Sequence, residues 1–252
     1  MPFETDFYPE SRFGGFTDID GTVIFYTRVN SLLDENAVVI DYGCGRGAYG
    51  EDPVKARRAL RILKGKAKRV MGLDVSEQGS QNPYLDEFHQ ISPSKAPWPI
   101  SDNEADLCIC DSVLEHMENP EYFFNEASRT LKAGGHLCIR TPNRWSYIGI
   151  ASRLLPNRYH AKVAAKVQEG RKEEDVFPTL YRCNSMGALK KMLKKKGFEG
   201  VVYGYEAEPQ YMAFSKAAYF LGTLHQKYAP SCLKLALFAF AKKITGDGQN
   251  GG

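Results

Sequence analysis

The sequence has no Cys-x-x-Cys pair, no apolar run long enough to span a bilayer and no marked excess of charge of either sign. Its six cysteines stand at 44, 108, 110, 138, 183 and 232. That spacing lacks the paired-ligand pattern of a structural zinc site, and no metal is expected. Four of the six lie in or beside apolar runs and read as small buried hydrophobes of a reducing compartment. The most apolar tract, Leu233 to Ala241, is interrupted by Lys234 and falls short of the about 18–20 residues of a membrane helix. The start, Met1-Pro-Phe-Glu-Thr-Asp6, has neither the basic flank nor the apolar core of a secretory signal, so the expected location is the cytoplasm. With 33 basic against 30 acidic residues, the net charge of +3 is too small to make nucleic acid the main partner.

What is present is the composition of a folded chain. Apolar residues make up 43% and charged residues 25%, which excludes wholesale disorder, and 252 residues suffice for one large α/β domain. Short β-branched or apolar runs alternate with helical patterns. Ala37 to Tyr42, Arg69 to Asp74, Phe88 to Ile91, Asp106 to Asp111 and His136 to Thr141 read as five strands. A helix is expected from Asp52-Pro53 to Lys68, and another from Asn119-Pro120 to the glycines 134 and 135, each opened by an acceptor side chain followed by proline. Met186 to Lys196 reads as a helix capped by Gly197, and Val201 to Tyr205 and Leu235 to Ala241 as two last strands. The expected architecture is therefore a doubly wound, mostly parallel seven-stranded α/β sheet. Residues 1–35 would form a cover segment and 36–244 the main domain. Residues 142–183 would be a lid inserted after the fifth strand, and the Gly-rich 245–252 a disordered tail.

Two basic or apolar features admit two readings each. Lys190-Lys191 and Lys194 to Lys196 read first as a solvated helix face, and otherwise as a contact for anionic lipid or an acidic substrate. The apolar helix from Tyr211 to Tyr228 reads first as core, and otherwise as a weak peripheral contact at the inner membrane face.

The chemistry concentrates at Asp41-Tyr-Gly43-Cys-Gly45-Arg-Gly47, between a strand and a helix, where glycines let the backbone turn and approach a ligand. Gly43, Gly45 and Ala48 also fit a dinucleotide fingerprint. Against a nicotinamide cofactor, Asp41 sits where a carboxylate suits a cation rather than a pyrophosphate. Asp74, ending the next strand, lies 31 residues past Gly43 rather than about 20.

Together with Gly72-Leu-Asp74-Val-Ser76, Asp106-Leu-Cys-Ile-Cys-Asp111-Ser-Val-Leu-Glu115-His116 and Leu131-Lys-Ala-Gly134-Gly135, the glycine loop resembles the ordered motifs of the class I S-adenosylmethionine (SAM)-dependent methyltransferases. The resemblance runs from about residue 36 to 145. It implies the Rossmann-like methyltransferase fold with SAM as cofactor, and it implies roles. Asp41 would face the cofactor's amino end, Gly43 and Gly45 would line its methionine and ribose, and Asp74 would accept hydrogen bonds from the ribose hydroxyls. Asp111 and Ser112 would border the sulfonium. Where the family often has an acid for the adenine amine, this chain has Ser92-Pro-Ser94.

Acceptor-side candidates come from the lid, which should cover the carboxyl ends of the strands. Asn143, Arg171, Tyr181 and Arg182 would hold the acceptor and His160 would serve as general base. The expected acceptor is a saccharide, glycolipid or lipid-linked precursor methylated on oxygen. The alternatives are a small-molecule N- or C-methyltransferase and a non-catalytic SAM-binding subunit. A second motif, Asp18-Ile-Asp20-Gly-Thr-Val23, matches the nucleophile segment of haloacid-dehalogenase-like phosphatases. No later acid pair accompanies it, and it reads better as an Asp- and Gly-rich turn at the domain entry.

Overall fold

A computed structural model describes residues 3–92, 96–154 and 178–244, with the side chains of 152–154 excepted. The strands are β1 (Val38–Tyr42), β2 (Arg69–Asp74), β3 (Glu87–Gln90), β4 (Ala105–Asp111), β5 (Leu131–Pro142), β6 (Phe198–Tyr205) and β7 (Ala236–Lys243). They form one sheet in the order β3-β2-β1-β4-β5-β7-β6. All neighbours are parallel except β7, which runs antiparallel to both β5 and β6. The chain builds β1 to β3 toward one edge, then crosses back to lay β4 on the other side of β1. The carboxyl ends of β1 and β4 therefore flank a topological switch point, where open α/β sheets bind ligands.

The α-helices among the described residues are α1 (Glu4–Phe7), α2 (Gly21–Ser31), α3 (Lys55–Arg61), α4 (Pro120–Thr130), α5 (Tyr147–Leu154), α6 (Met186–Lys195) and α7 (Lys216–Tyr228). Strand side chains alternate between two layers. Ile40, Tyr42, Cys108 and Cys110 pack with Phe123 and Phe124 of α4 and Leu189 and Leu193 of α6. Val39, Ile109, Cys138 and Phe238 pack on the other face with Phe25, Tyr26 and Val29 of α2. The central strands are apolar on both sides because helices cover both sides. Five cysteines are buried and Cys232 is exposed; none is in a disulfide.

Several elements are shorter or shifted relative to the sequence pattern. The helix expected from Asp52 to Lys68 is only α3, Lys55–Arg61. Asp52 does not cap it; its carboxylate accepts from the Val54 N–H and holds Arg57, and the chain leaves the helix at Ile62 in extended conformation. The helix before the fifth strand ends at Thr130, and Leu131 already pairs with Ala105, so Gly134 and Gly135 lie inside β5. Ser215 caps α7 through the Ala218 N–H, which moves its start from Tyr211 to Lys216. This helix is only half core: Tyr219 and Gly222 are buried, whereas Phe220 and Leu221 are exposed. In the basic run, Lys195 and Lys196 pair with Glu121 of α4.

The N-terminal segment lies on α7, with Phe7 and Tyr8 against Tyr219. Most of the expected lid, including His160 and Arg171, lies outside the described residues, as do Ser94 and the tail from 245. No helix among the described residues is long and apolar enough to cross a membrane.

Candidate functional site

Three aspartates converge because strand parity sends them to the same face of the sheet. Asp41 lies one residue before the end of β1, beside Gly72; Asp74 ends β2, and Asp111 ends β4, two residues beyond Ile109, the partner of Asp41. The glycine loop turns over them. Gly43 has φ 75°, and its N–H donates to the Leu73 carbonyl at 2.7 Å. A Cβ on Gly43 would stand 2.2 Å from Val113 Cγ2, so the loop is packed tight there. Gly45 has φ 52°, yet a Cβ on it would meet nothing within 4 Å. The loop is thus closed at its base and open at Gly45.

The opening carries a fixed carboxylate. Asp74 Oδ2 accepts from the Gly45 N–H (2.9 Å) and Oδ1 from the Ser76 N–H (2.8 Å). Each oxygen keeps a second lone pair, and two backbone anchors set their direction. Asn82 secures the loop by donating to the carbonyls of Cys44 and Gly45.

Asp111 is in a different electrostatic state. Arg140 of β5 grips it bidentately, Nε to Oδ1 and Nη2 to Oδ2, both at 2.6 Å. The Tyr26 hydroxyl donates to Oδ2 (3.0 Å) and the Ser112 hydroxyl to Oδ1 (3.2 Å). Burial acts to raise this carboxyl, but Arg140, Arg61 and Tyr26 outweigh it and hold it down at about 2. Ser112 has φ 59°, a conformation uncommon for a residue with a side chain, and its N–H donates to the Arg140 carbonyl. The pair forecast for the sulfonium side is therefore the end of a cross-strand ion pair.

Asp41 is the complement. Its carboxylate has no hydrogen bond among the described residues, and burial pushes it up to about 7, against the pull of Arg61. It lines a small hollow, partly open to solvent, together with Tyr26, Gly43, Tyr49 and Arg61. The Arg61 guanidinium lies 4.8 Å from the Tyr49 ring centroid, 5.5 Å from that of Tyr26 and 3.8 Å from Asp111 Oδ2. Its Nε is buried without a hydrogen-bond partner. A hollow with an uncommitted carboxylate and an uncommitted guanidinium N–H fits a zwitterionic ligand. The open loop beside Asp74 fits a vicinal diol. Both belong to SAM, so the residues present fit that cofactor.

On the acceptor side, Asn143 is buried and committed. Its Nδ2 donates to the carbonyls of Cys232 and Lys234, and its Oδ1 accepts from the Trp145 N–H. It fastens the end of β5 rather than presenting an amide to a pocket. The N–H groups of Leu180 and Tyr181 donate to the Glu115 carbonyl, and Tyr181 has φ 53°. Arg182 is exposed. Below them the buried Glu115 accepts from the Thr141 hydroxyl, which in turn accepts from Asn184. Asp20 caps α2 by accepting from the N–H groups of Thr22 and Val23, and it pairs with Arg57. The phosphatase-like motif is thus a helix cap. Among the described residues no group of three His, Cys, Asp or Glu side chains could hold a metal.

Tyr26, Arg61, Arg140 and a Glu206–His225 pair escape sequence reasoning. Glu206 follows β6 and is buried; its Oε1 lies 2.9 Å from His225 Nδ1. Only Arg140 leaves a trace in the sequence, as a charge in the otherwise apolar Leu137-Cys-Ile-Arg140.

A family model described as a methyltransferase domain matches residues 25–203. A curated relative from Mycolicibacterium smegmatis, named "Probable S-adenosylmethionine-dependent methyltransferase", is 31% identical over 114 residues, 43% of this chain and 39% of that protein. A ubiquinone biosynthesis O-methyltransferase from Nitrosomonas europaea is 28% identical over 165 residues, 60% of this chain and 67% of that one. The chain spans about two fifths to a little over half of the length of the curated relatives it matches first. Among solved structures, a SAM-dependent methyltransferase from Archaeoglobus fulgidus shares the fold at TM-score 0.54 and 16% identity, covering 93% of this chain and 97% of that one. The [4+2]-cyclase SpnF shares it at TM-score 0.53 and 19% identity, covering 89% and 82%.

Proposed function

The chain belongs to the class I SAM-dependent methyltransferases, and from that premise we propose that it methylates an oxygen of a saccharide, glycolipid or lipid-linked precursor. The observation that carries the cofactor half is the hollow in which Asp41 and the Arg61 Nε–H both lack partners. Asp41 would take the cofactor's ammonium, Arg61 its carboxylate and Asp74 its ribose hydroxyls, with Gly43 and Gly45 admitting the backbone approach. The bound cofactor supplies a methyl group on a sulfonium, an electrophile that needs alignment more than activation.

Asp111 and Ser112 would border the sulfonium as a neutralised pair with Arg140, so no free anion competes there with the acceptor. A hydroxyl acceptor gains from a base. His160 is the candidate from the lid. Among the described residues, His225 offers the other, its Nδ1 held by a buried carboxylate as an orienting partner would hold it. Arg171, Tyr181 and Arg182 would hold the acceptor. Support for oxygen as the acceptor atom comes from relatives named ubiquinone biosynthesis O-methyltransferase. Methylation of nitrogen or carbon in a small molecule is the second reading, since a geranyl diphosphate C-methyltransferase shares the fold. A fold also shared with a cyclase does not fix the reaction. A non-catalytic SAM-binding role would keep the hollow and lack turnover. The cysteines, none in a disulfide, support a reducing cytoplasm.

Calorimetric titration with SAM and, separately, with NADH tests the cofactor half. Micromolar SAM binding without NADH binding is expected. Losing hydrogen bonds to a charged group costs about 1.5–3 kcal/mol, so Asp74→Ala should weaken SAM by roughly tenfold or more. Unchanged affinity would take Asp74 off the ribose. Transfer of labelled methyl to saccharide, lipid and phenol pools then separates an enzyme from a binding subunit.

A further inference from the structure

Helix α7 is amphipathic in a direction the fold does not use. Its inner side buries Tyr219 and Gly222, the latter against Pro209 and Met212, and seats His225 on Glu206. Its outer side carries Ala217, Phe220, Leu221, Leu224 and Tyr228, spaced i, i+3, i+4, i+7 and i+11, the spacing of a buried stripe. Here most of the stripe faces out, Leu221 being 61% and Tyr228 70% exposed, while Phe220 is half covered and touches Phe7 of the N-terminal segment. Phe214, just before the cap, is 81% exposed. A contiguous exposed apolar patch of this kind marks a contact surface.

Charge says what the contact is. Between Gln210 and Leu235 the chain carries Lys216, Lys227 and Lys234 and no acidic residue. Asp6, at the rim, is neutralised by Lys216 at 2.8 Å. With Lys216 paired to Asp6, the cation left on the helix is Lys227, beside Tyr228; an apolar stripe of Phe, Leu and Tyr with a lysine at its end and no acidic residue in its own segment has the composition of a helix lying in the headgroup region of an anionic bilayer. Tyr147 of α5, just past the carboxyl end of β5, packs edge-on against His225 of α7 at 5.1 Å between ring centroids. Helix α7 therefore packs beside the segment that follows β5.

We infer that the outer face of α7, with Phe214, docks this protein on the surface of an anionic phospholipid bilayer. The inference stands apart from the assignment of SAM, since none of these side chains lines the cofactor hollow.

Flotation of the full chain with large unilamellar vesicles tests it, comparing pure phosphatidylcholine with phosphatidylcholine containing about 30% phosphatidylglycerol. The wild type should float with the anionic vesicles and only weakly with the neutral ones. Leu221→Glu and Lys227→Glu should each cut that binding by about tenfold or more. Both residues are exposed, so melting temperature and SAM affinity should stay at wild-type values. Failure of the wild type to float with anionic vesicles would overturn the inference, as would a Leu221→Glu variant that floats like wild type. Equal binding to both vesicle types would overturn the anionic assignment. A dimer in light scattering that Leu221→Glu dissolves would replace the bilayer with a second copy.

Discussion

The Asp41 carboxyl, raised to about 7 from an ordinary 3.8, ties ligand binding to pH and to stability. Between those values the folded chain binds a proton that the unfolded chain releases, so the ligand-free protein loses stability as pH rises through this window. Asp41→Asn removes the buried charge and should stabilise the ligand-free protein at pH 8, by about 1–4 kcal/mol. The same variant should weaken SAM. In the wild type, the ammonium of the ligand favours the ionised carboxylate, so affinity should rise from about pH 5.5 to about 7 with proton release on binding. Calorimetry in two buffers of different ionisation enthalpy checks this; no proton release would separate Asp41 from the ammonium. The two loop glycines should divide in the same way. Gly43→Ala drives a Cβ into Val113 and should lower the melting temperature sharply. Gly45→Ala meets open space, pays only the left-handed cost of about 1–2 kcal/mol, and should fold while binding SAM poorly. Asp41, Gly43, Gly45 and Asp74 were legible as neighbours because two adjacent parallel strand ends and the turn after the first fix them locally. Tyr26 and Arg61 were not: each belongs to an ordinary helix, and only packing across the sheet brings them to the same hollow.

The ends of β4 and β5 show how two strands share one task. Register sets Asp111 opposite Arg140, and both oxygens of the carboxylate are taken. Replacing Arg140 by Met leaves that carboxylate without its bidentate partner, at an expected cost of about 3–5 kcal/mol in chemical denaturation. A loss below about 1 kcal/mol would mean that Tyr26 and Arg61 suffice. Most strands were legible to within a few residues, since apolar runs and turn residues bound them, but β5 begins at Leu131 and β6 at Phe198, earlier than their apolar runs suggest. Helix lengths were not. The start of α3 slid past Pro53 because Asp52 is engaged with Val54 and Arg57, and α7 begins where Ser215 finds an N–H to accept from. Asn143 was chosen for its place after β5, and the structure uses that place to fasten backbone. Burial of an amide among carbonyls leaves no mark in one sequence.

Seen along its synthesis, the molecule is made in an order that differs from its spatial order. The residues proposed for the cofactor, from Tyr26 to Arg140, precede residue 142, yet the sheet they belong to stays incomplete far longer. β6 pairs only with β7, and β7 lies between β6 and β5 although it is the last of the seven to be translated. Until 236–243 emerges from the ribosome, β5 offers an unpaired edge and β6 has no place in the sheet. Such an edge is a template for other chains. Nascent chains arrested before residue 236 should therefore bind chaperones and resist refolding, whereas chains arrested well past 243 should become protease-resistant. Equal protease resistance of the two would show that the sheet closes without its inserted strand. On that expectation the antiparallel strand that completes the fold would also be a quality check on synthesis: a message cut short would yield an exposed edge rather than a smaller folded domain.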